Sequence, residues 1–264
     1  MSDLPAARWW ADDADKAHAE RRFLLYAPAW MLTLGVLMLL GIPGRLSDVG
    51  MLAVSLAVSL PLLVVPAIGA PTSAPRRLRD RYFIKANLWL AIFGFIGNYF
   101  LSEYFFDVLG MVYAFPLRWT FDAELVGQGK QSVPIAMYLL TQPFFVTYHV
   151  SATVLLRRAR TSRRGSHPAA RVALTALVAY VWAFLETLSM ANPLMREHFR
   201  YRDMPTMLRY GSLFYACYFL VSFPLFLRID EREPTPLGRC AIEALAAGML
   251  VFLLLDLITK LLRA

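Results

Sequence analysis

Seven long apolar runs, at about 23–42, 50–70, 87–106, 134–157, 169–190, 208–228 and 240–259, decide what this 264-residue chain can fold into. A helix needs roughly 20 mostly apolar residues to cross the hydrocarbon of a bilayer. The runs have about that length. They lack the two-residue alternation of barrel strands. Within lipid a backbone must satisfy its own hydrogen bonds, so helices are expected. The fold class is therefore all-α: a polytopic membrane protein with about seven transmembrane helices in a single bundle. Composition agrees, with 58% hydrophobic and only 17% charged residues, where a soluble domain carries about a quarter charged. Residues 1–22 read as a cytoplasmic or interfacial segment, with Trp9 and Trp10 at the headgroup level. Residues 23–264 read as the transmembrane bundle. No internal repeat is visible, which weakens a transporter reading.

The net charge of +8 points to topology rather than to nucleic acid. The N-terminal segment and the loops after the second, fourth and sixth runs hold 18 of the 27 Lys and Arg residues, flanks included. The positive-inside rule then puts the N-terminus in the cytoplasm and the C-terminus on the other side. Arg196, Arg200 and Arg202, in the loop after the fifth run, count against this. The expected location is an integral, multi-pass one, in a bacterial inner membrane or in the endoplasmic reticulum of a eukaryote. Membrane lipids are the expected surroundings.

Polar residues inside the runs carry the functional signal, because an ionisable group in hydrocarbon is costly and faces the bundle interior. Four stand out: Glu103, His149, Glu186 and Asp256. On the expected topology the three carboxylates fall in the last third of outward-running spans, at similar depth. Dry surroundings without a cation favour the neutral form of a carboxyl group, which can donate a proton. The competing reading is that a carboxylate near a span end reaches the headgroups or pairs with a loop arginine. Tyr138, Gln142, Phe145 and His149 follow at spacings that place them on one helical face. Gly211, Tyr215, Tyr218 and Ser222 do the same on the sixth span. Two such stripes suggest a lined cavity; interhelical hydrogen bonding is the structural alternative.

Cys217 and Cys240 suggest neither a disulfide framework nor a metal site. His18, His149, His167 and His198 have no partner at metal-ligand spacing, which argues against a di-iron oxygenase. A nucleotide fingerprint and a phosphate-binding loop are both missing. No metal and no cofactor are expected. Acid–base chemistry on a lipid-soluble molecule remains, or binding without chemistry.

Five blocks carry a resemblance: "DRYFIKANLW" (80–89), "GNYFLSEYFFDVLG" (97–110), "FFVTYHV" (144–150), "FLETLSMANP" (184–193) and "YGSLFYACYFLVSFPLFLRIDE" (210–231). In this order they resemble the cycloeucalenol cycloisomerase family, the cyclopropyl sterol isomerases, over nearly the whole chain. The Arg- and Ala-rich loops resemble a bacterial-type member. The resemblance implies an isomerase that opens the 9β,19-cyclopropane ring of a cycloeucalenol-like sterol to give an obtusifoliol-like Δ8-sterol. Glu103 stands where the family's plant pattern has a histidine, and Asp107 where it has a lysine.

That chemistry needs an acid, a base and aromatic faces for a cation. The expected catalytic residues are Glu186, Glu103 and His149, with Glu186 first as acid. The expected substrate-binding residues are Tyr99, Tyr138, Gln142, Tyr215, Tyr218, Ser222 and Asp256. The expected partner is a sterol drawn from the bilayer. A Δ8–Δ7 sterol isomerase of the emopamil-binding type and a non-enzymatic seven-helix sterol-binding protein are the alternatives.

Overall fold

The computed structural model describes residues 7–71, 76–124, 126–162 and 167–263. Seven helical spans are long and apolar enough to cross a membrane: Ala14–Leu39, Asp48–Ala67, Tyr82–Asp107, Ile135–Arg160, Pro168–Met190, Met204–Leu227 and Leu237–Arg263. The protein is an integral, multi-pass, all-α membrane protein. We label its helices α1 (Ala14–Leu39), α2 (Asp48–Ser59), α3 (Pro61–Val64), α4 (Tyr82–Ile96), α5 (Ser102–Asp107), α6 (Ile135–Arg160), α7 (Pro168–Met190), α8 (Met204–Leu227) and α9 (Leu237–Arg263). A π-helical turn, Gly97–Leu101, joins α4 to α5.

The largest difference from the sequence reading is at the start. Helix α1 begins at Ala14, capped by the Asp13 side chain, which accepts the Lys16 N–H at 2.9 Å. Residues 14–22 are therefore not a separate segment; Asp15, Lys16 and Glu20 are buried. Their charge made the stretch look like an exterior segment, yet each is paired. Arg157 bridges Glu20 and Glu231. Lys16 meets Glu231 at 2.8 Å and the Leu227 carbonyl at 2.8 Å. Lys85 grips Asp230 with two bonds of 2.9 Å. The clasp joins α1, α4, α6 and the α8–α9 turn at one end of the bundle. Burial works against the charge on Glu231, but Arg157 and Lys16 outweigh it and hold its carboxyl below the usual range.

Between lipid and protein there is little hydrophobic driving force, so close packing and polar contacts must hold the spans together. The centre is α4, α6 and α8: 61% of the residues in the most apolar stretches of α6 and α8 are buried, against 17% in α1. Small residues permit the approach. Gly248 of α9 lies against Ile96, where a Cβ would come within 2.6 Å of the Ile96 side chain. Gln142 of α6 donates to the Asn87 carbonyls of α4 at 3.1 and 2.9 Å. Trp30 of α1 donates to Thr147 of α6 at 3.0 Å.

At the end away from the clasp, the connections after α5 and α7 form a cap. Its frame is a two-stranded antiparallel pair, β1 (Met111–Tyr113) and β2 (Phe199–Tyr201), with Val112 opposite Arg200. Aromatic edges fill it, Tyr113 standing 5.3 Å from Phe199 and Phe115 stacked on His198 at 5.2 Å.

Candidate active site

Beneath the cap lies a cavity of about 1040 Å³, at the upper end of the roughly 300–1,000 Å³ of small-molecule sites. Its floor and walls come from α1, the π turn, α5, α6, α7 and α8, and β1 and β2 close it above. Leu39, Leu40 and Leu185 line it, yet they are 70%, 60% and 47% exposed. Those side chains also stand on the outer surface, so the cavity reaches it sideways between the C-terminal half of α1 and α7. Exposed Arg45 and Glu197 stand at its rim.

Glu186 is the carboxylate of the inner wall. It is buried, and the Tyr148 hydroxyl donates a hydrogen bond to it. Among the described residues no Lys, Arg or His nitrogen lies within 4.0 Å of it. Around the pair stand Trp182 at 4.8 Å, Phe219 at 5.6 Å and Phe144 at 6.2 Å from the Tyr148 ring. Tyr215 and Tyr218 also face the cavity, as does Tyr113 from the cap. Burial pushes the Tyr113 phenol well above its usual range, so it stays a neutral donor. Among the described residues these three hydroxyls have no hydrogen-bond partner in the protein.

The other sequence candidates lie elsewhere. His149 is fully buried behind the wall, its Nδ1 2.7 Å from the Phe145 carbonyl and its Nε2 2.8 Å from the Ser222 hydroxyl. Tyr138 donates to the Phe121 carbonyl at 2.6 Å. Tyr99 stacks on Phe95 at 5.3 Å, and Gln142 is held by Asn87. Asp256, half-buried on α9 beside Tyr104 of α5, pairs with Lys260 at 2.7 Å. Glu103 is buried under the loop after β1, with Asp107 and Asp122 near enough to repel it. A Cβ on Gly127, whose φ is +83°, would collide with its carboxylate. The three carboxylates therefore do not gather.

The cavity face of α6 is Met137, Leu140, Thr141, Phe144, Phe145 and Tyr148; of the expected stripe only Phe145 is on it, and Tyr138, Gln142 and His149 each stand one residue beyond a lining residue. One residue turns a helix by about 100°. The expected face is the polar seam between helices, where Gln142 and His149 have fixed partners. A pattern of polar residues does not separate such a seam from a cavity. The sequence reading missed Tyr148, Asn98, Thr141 and Tyr113. Tyr148 lies within the "FFVTYHV" block, and the apolar-to-polar run 137, 141, 144, 148 was the available signal.

A curated protein of Arabidopsis thaliana, cycloeucalenol cycloisomerase, is 36% identical over 258 residues, covering 94% of this chain and 87% of the relative. The chain belongs to the cycloeucalenol cycloisomerase family. It is an enzyme, an isomerase. No family model and no solved structure matches the sequence. In this isomerase the Glu186–Tyr148 pair places a carboxyl group on the wall of an apolar cavity.

Proposed function

We propose that this isomerase opens the 9β,19-cyclopropane ring of a cyclopropyl sterol to a Δ8-sterol by proton transfer alone. The carrying observation is a carboxyl group with no cation beside it among the described residues, held by a tyrosine, on the wall of an apolar cavity that reaches the surface of the bundle. The relative's name supports the substrate class.

A strained C–C bond is a weak base, so the acid must be placed against it and water kept away. Glu186 gives its proton to C19. The C9–C19 bonding pair forms the new C–H bond, C19 becomes a methyl group, and positive charge appears at C9. Trp182, Phe144 and Phe219 offer ring faces to that charge. The carboxylate left on Glu186, stabilised by the Tyr148 hydroxyl, takes the proton from C8. The C8–H pair becomes the C8–C9 double bond. Proton and electrons return to where they began, so the reaction needs no electron carrier and no co-reactant. Substrate enters sideways from the bilayer between α1 and α7. With the N-terminus cytoplasmic, as the Lys and Arg asymmetry supports, the cavity lies in the half of the bundle away from the cytoplasm.

The test is conversion of cycloeucalenol by the purified protein in lipid nanodiscs in heavy water, without NADPH, metal or oxygen. In a single turnover by enzyme first equilibrated in heavy water, one deuterium should enter the C19 methyl group. Glu186→Gln keeps the shape but has no proton to give, and should lower turnover by about 10²–10⁴. Near-normal turnover by Glu186→Gln removes it as the acid; binding without turnover by the wild type removes the reaction.

A further inference from the structure

We propose that Asn98, in the π turn, accepts the hydrogen bond of the sterol hydroxyl, with Tyr218 as its donor, and so fixes which way round the substrate lies. This rests on the sterol reading above. A sterol is an apolar body with one hydroxyl, which donates one hydrogen bond and accepts others. A cavity that binds it in one orientation needs an acceptor and a donor together at one place.

The wall hydroxyls near Asn98 are committed. Thr141 gives its hydrogen to the Met137 carbonyl at 2.8 Å. Ser102 gives its own to the Asn98 carbonyl at 2.6 Å. That bond follows from the π turn: the Ser102 N–H reaches back five residues to the Gly97 carbonyl, so the Asn98 carbonyl is left for the Ser102 side chain. The Asn98 amide is committed too. Its two Nδ2 hydrogens go to the Gly94 carbonyl at 2.9 Å and to Thr141 Oγ1 at 2.8 Å. The orientation of this amide is fixed by chemistry. Reversing it would set two carbonyl oxygens against each other, and Thr141 has no second hydrogen to offer. Oδ1 is therefore the free end, and among the described residues it has no donor. Asn98 and Tyr218 both line the cavity. Tyr218 packs against the residue before Asn98: a Cβ on Gly97 would lie 3.5 Å from its ring. Among the described residues the Tyr218 hydroxyl has no partner, so it can donate to the same substrate oxygen. Buried polar groups without partners are costly in lipid; a bound hydroxyl satisfies both at once.

The deciding experiment compares cycloeucalenol with its 3-ketone, which has nearly the same shape and still accepts from Tyr218 but cannot donate to Asn98. Wild-type kcat/KM should be about three- to tenfold lower for the ketone, the worth of one neutral hydrogen bond. In Asn98→Leu the alcohol should fall to the level of the ketone, so the ratio collapses towards one. Tyr218→Phe should lower both compounds and keep the ratio. Should Asn98→Leu fail to fold, Thr141→Val leaves Asn98 in place but frees its amide to turn, and the ratio should shrink. Equal handling of alcohol and ketone by the wild type, or an unchanged ratio in Asn98→Leu, overturns the proposal. If the wild type turns over neither compound, the isomerisation reading fails. The anchor is then judged by binding of the same two compounds in nanodiscs, where the same ratio is expected and its absence refutes it.

Discussion

The Tyr148 hydroxyl makes the sharpest test of how the acid works, because its role differs between the two halves of the reaction. Tyr148→Phe removes one oxygen and keeps the ring that packs on Trp182 and Phe219. Both Tyr148 and Glu186 are buried, with 5% and 8% exposure, so water does not replace the lost bond. A hydrogen bond to a charged group is worth about 1.5–3 kcal/mol. Here the full charge exists only after Glu186 has given its proton, so the loss falls on the transition state. At 1.36 kcal/mol per decade, turnover should fall by about 10- to 150-fold, with KM little changed. Glu186→Gln should cost more, and the double variant should be no slower than Glu186→Gln alone, since Tyr148 acts only through that carboxylate. Initial rates at saturating sterol in nanodiscs measure all four corners of the cycle. A Tyr148→Phe rate within twofold of the wild type refutes the reasoning, and so do losses that multiply in the double variant.

Gly35 lines the cavity on α1 with open space around its Cα, so Gly35→Phe should narrow the side opening and raise KM while leaving the thermal midpoint near that of the wild type. Gly127→Ala should destabilise the protein by about 1 kcal/mol or more, since its φ is +83° and the Glu103 carboxylate fills the space; thermal unfolding in detergent reads this. Glu231 ionises more readily in the folded protein than its ordinary value of 4.5, so its contribution is present above that pH and lost as pH falls through and below it. The thermal-midpoint advantage of the wild type over Glu231→Gln should be constant from neutral pH to about 5 and shrink on further acidification. Arg157→Met leaves Glu20 and Glu231 without their shared cation and should cost about 3–5 kcal/mol, seen as loss of folded protein at physiological temperature.

The seven spans were legible because run length alone decides them in a bilayer. The start of α1 was not, because Asp15, Lys16 and Glu20 read as exterior until their partners are known. Those partners are remote: Glu231 is the partner of Lys16, and Arg157 that of Glu20. Nothing local announces such pairs. Glu186, Tyr215 and Tyr218 were legible as interior polar residues, and the structure sets all three on one cavity. His149 and Ser222 were legible as interior in the same way, but they satisfy each other at 2.8 Å. Hydropathy reports that a polar side chain is buried; it does not report whether its partner is another helix or a ligand. Asn98 was hidden for a further reason. Its oxygen is free because its amide hydrogens already go to Gly94 and Thr141, partners that periodicity does not reveal.

The clasp and the cavity also explain each other. A cation beside a carboxyl group favours its charged form, and a charged Glu186 has no proton to deliver. A bundle with many basic residues therefore has to keep them away from this wall. Lys16, Lys85 and Arg157 are buried as deeply as Glu186, and each is tied to a carboxylate at the far end of the bundle. Their partners, Glu20, Asp230 and Glu231, take up the positive charge there. The short α8–α9 turn supplies Asp230 and Glu231 together, and Asp230 adopts the left-handed conformation, with φ +49°. Its carboxylate also accepts the Thr235 N–H at 2.6 Å, which fixes the turn and with it the clasp. The spatial separation of cations from the acid is thus written into that one turn: four residues beyond α8, the chain bends so that its carboxylates meet Lys16, Lys85 and Arg157, while α8 itself carries Tyr215 and Tyr218 to the cavity in the opposite half.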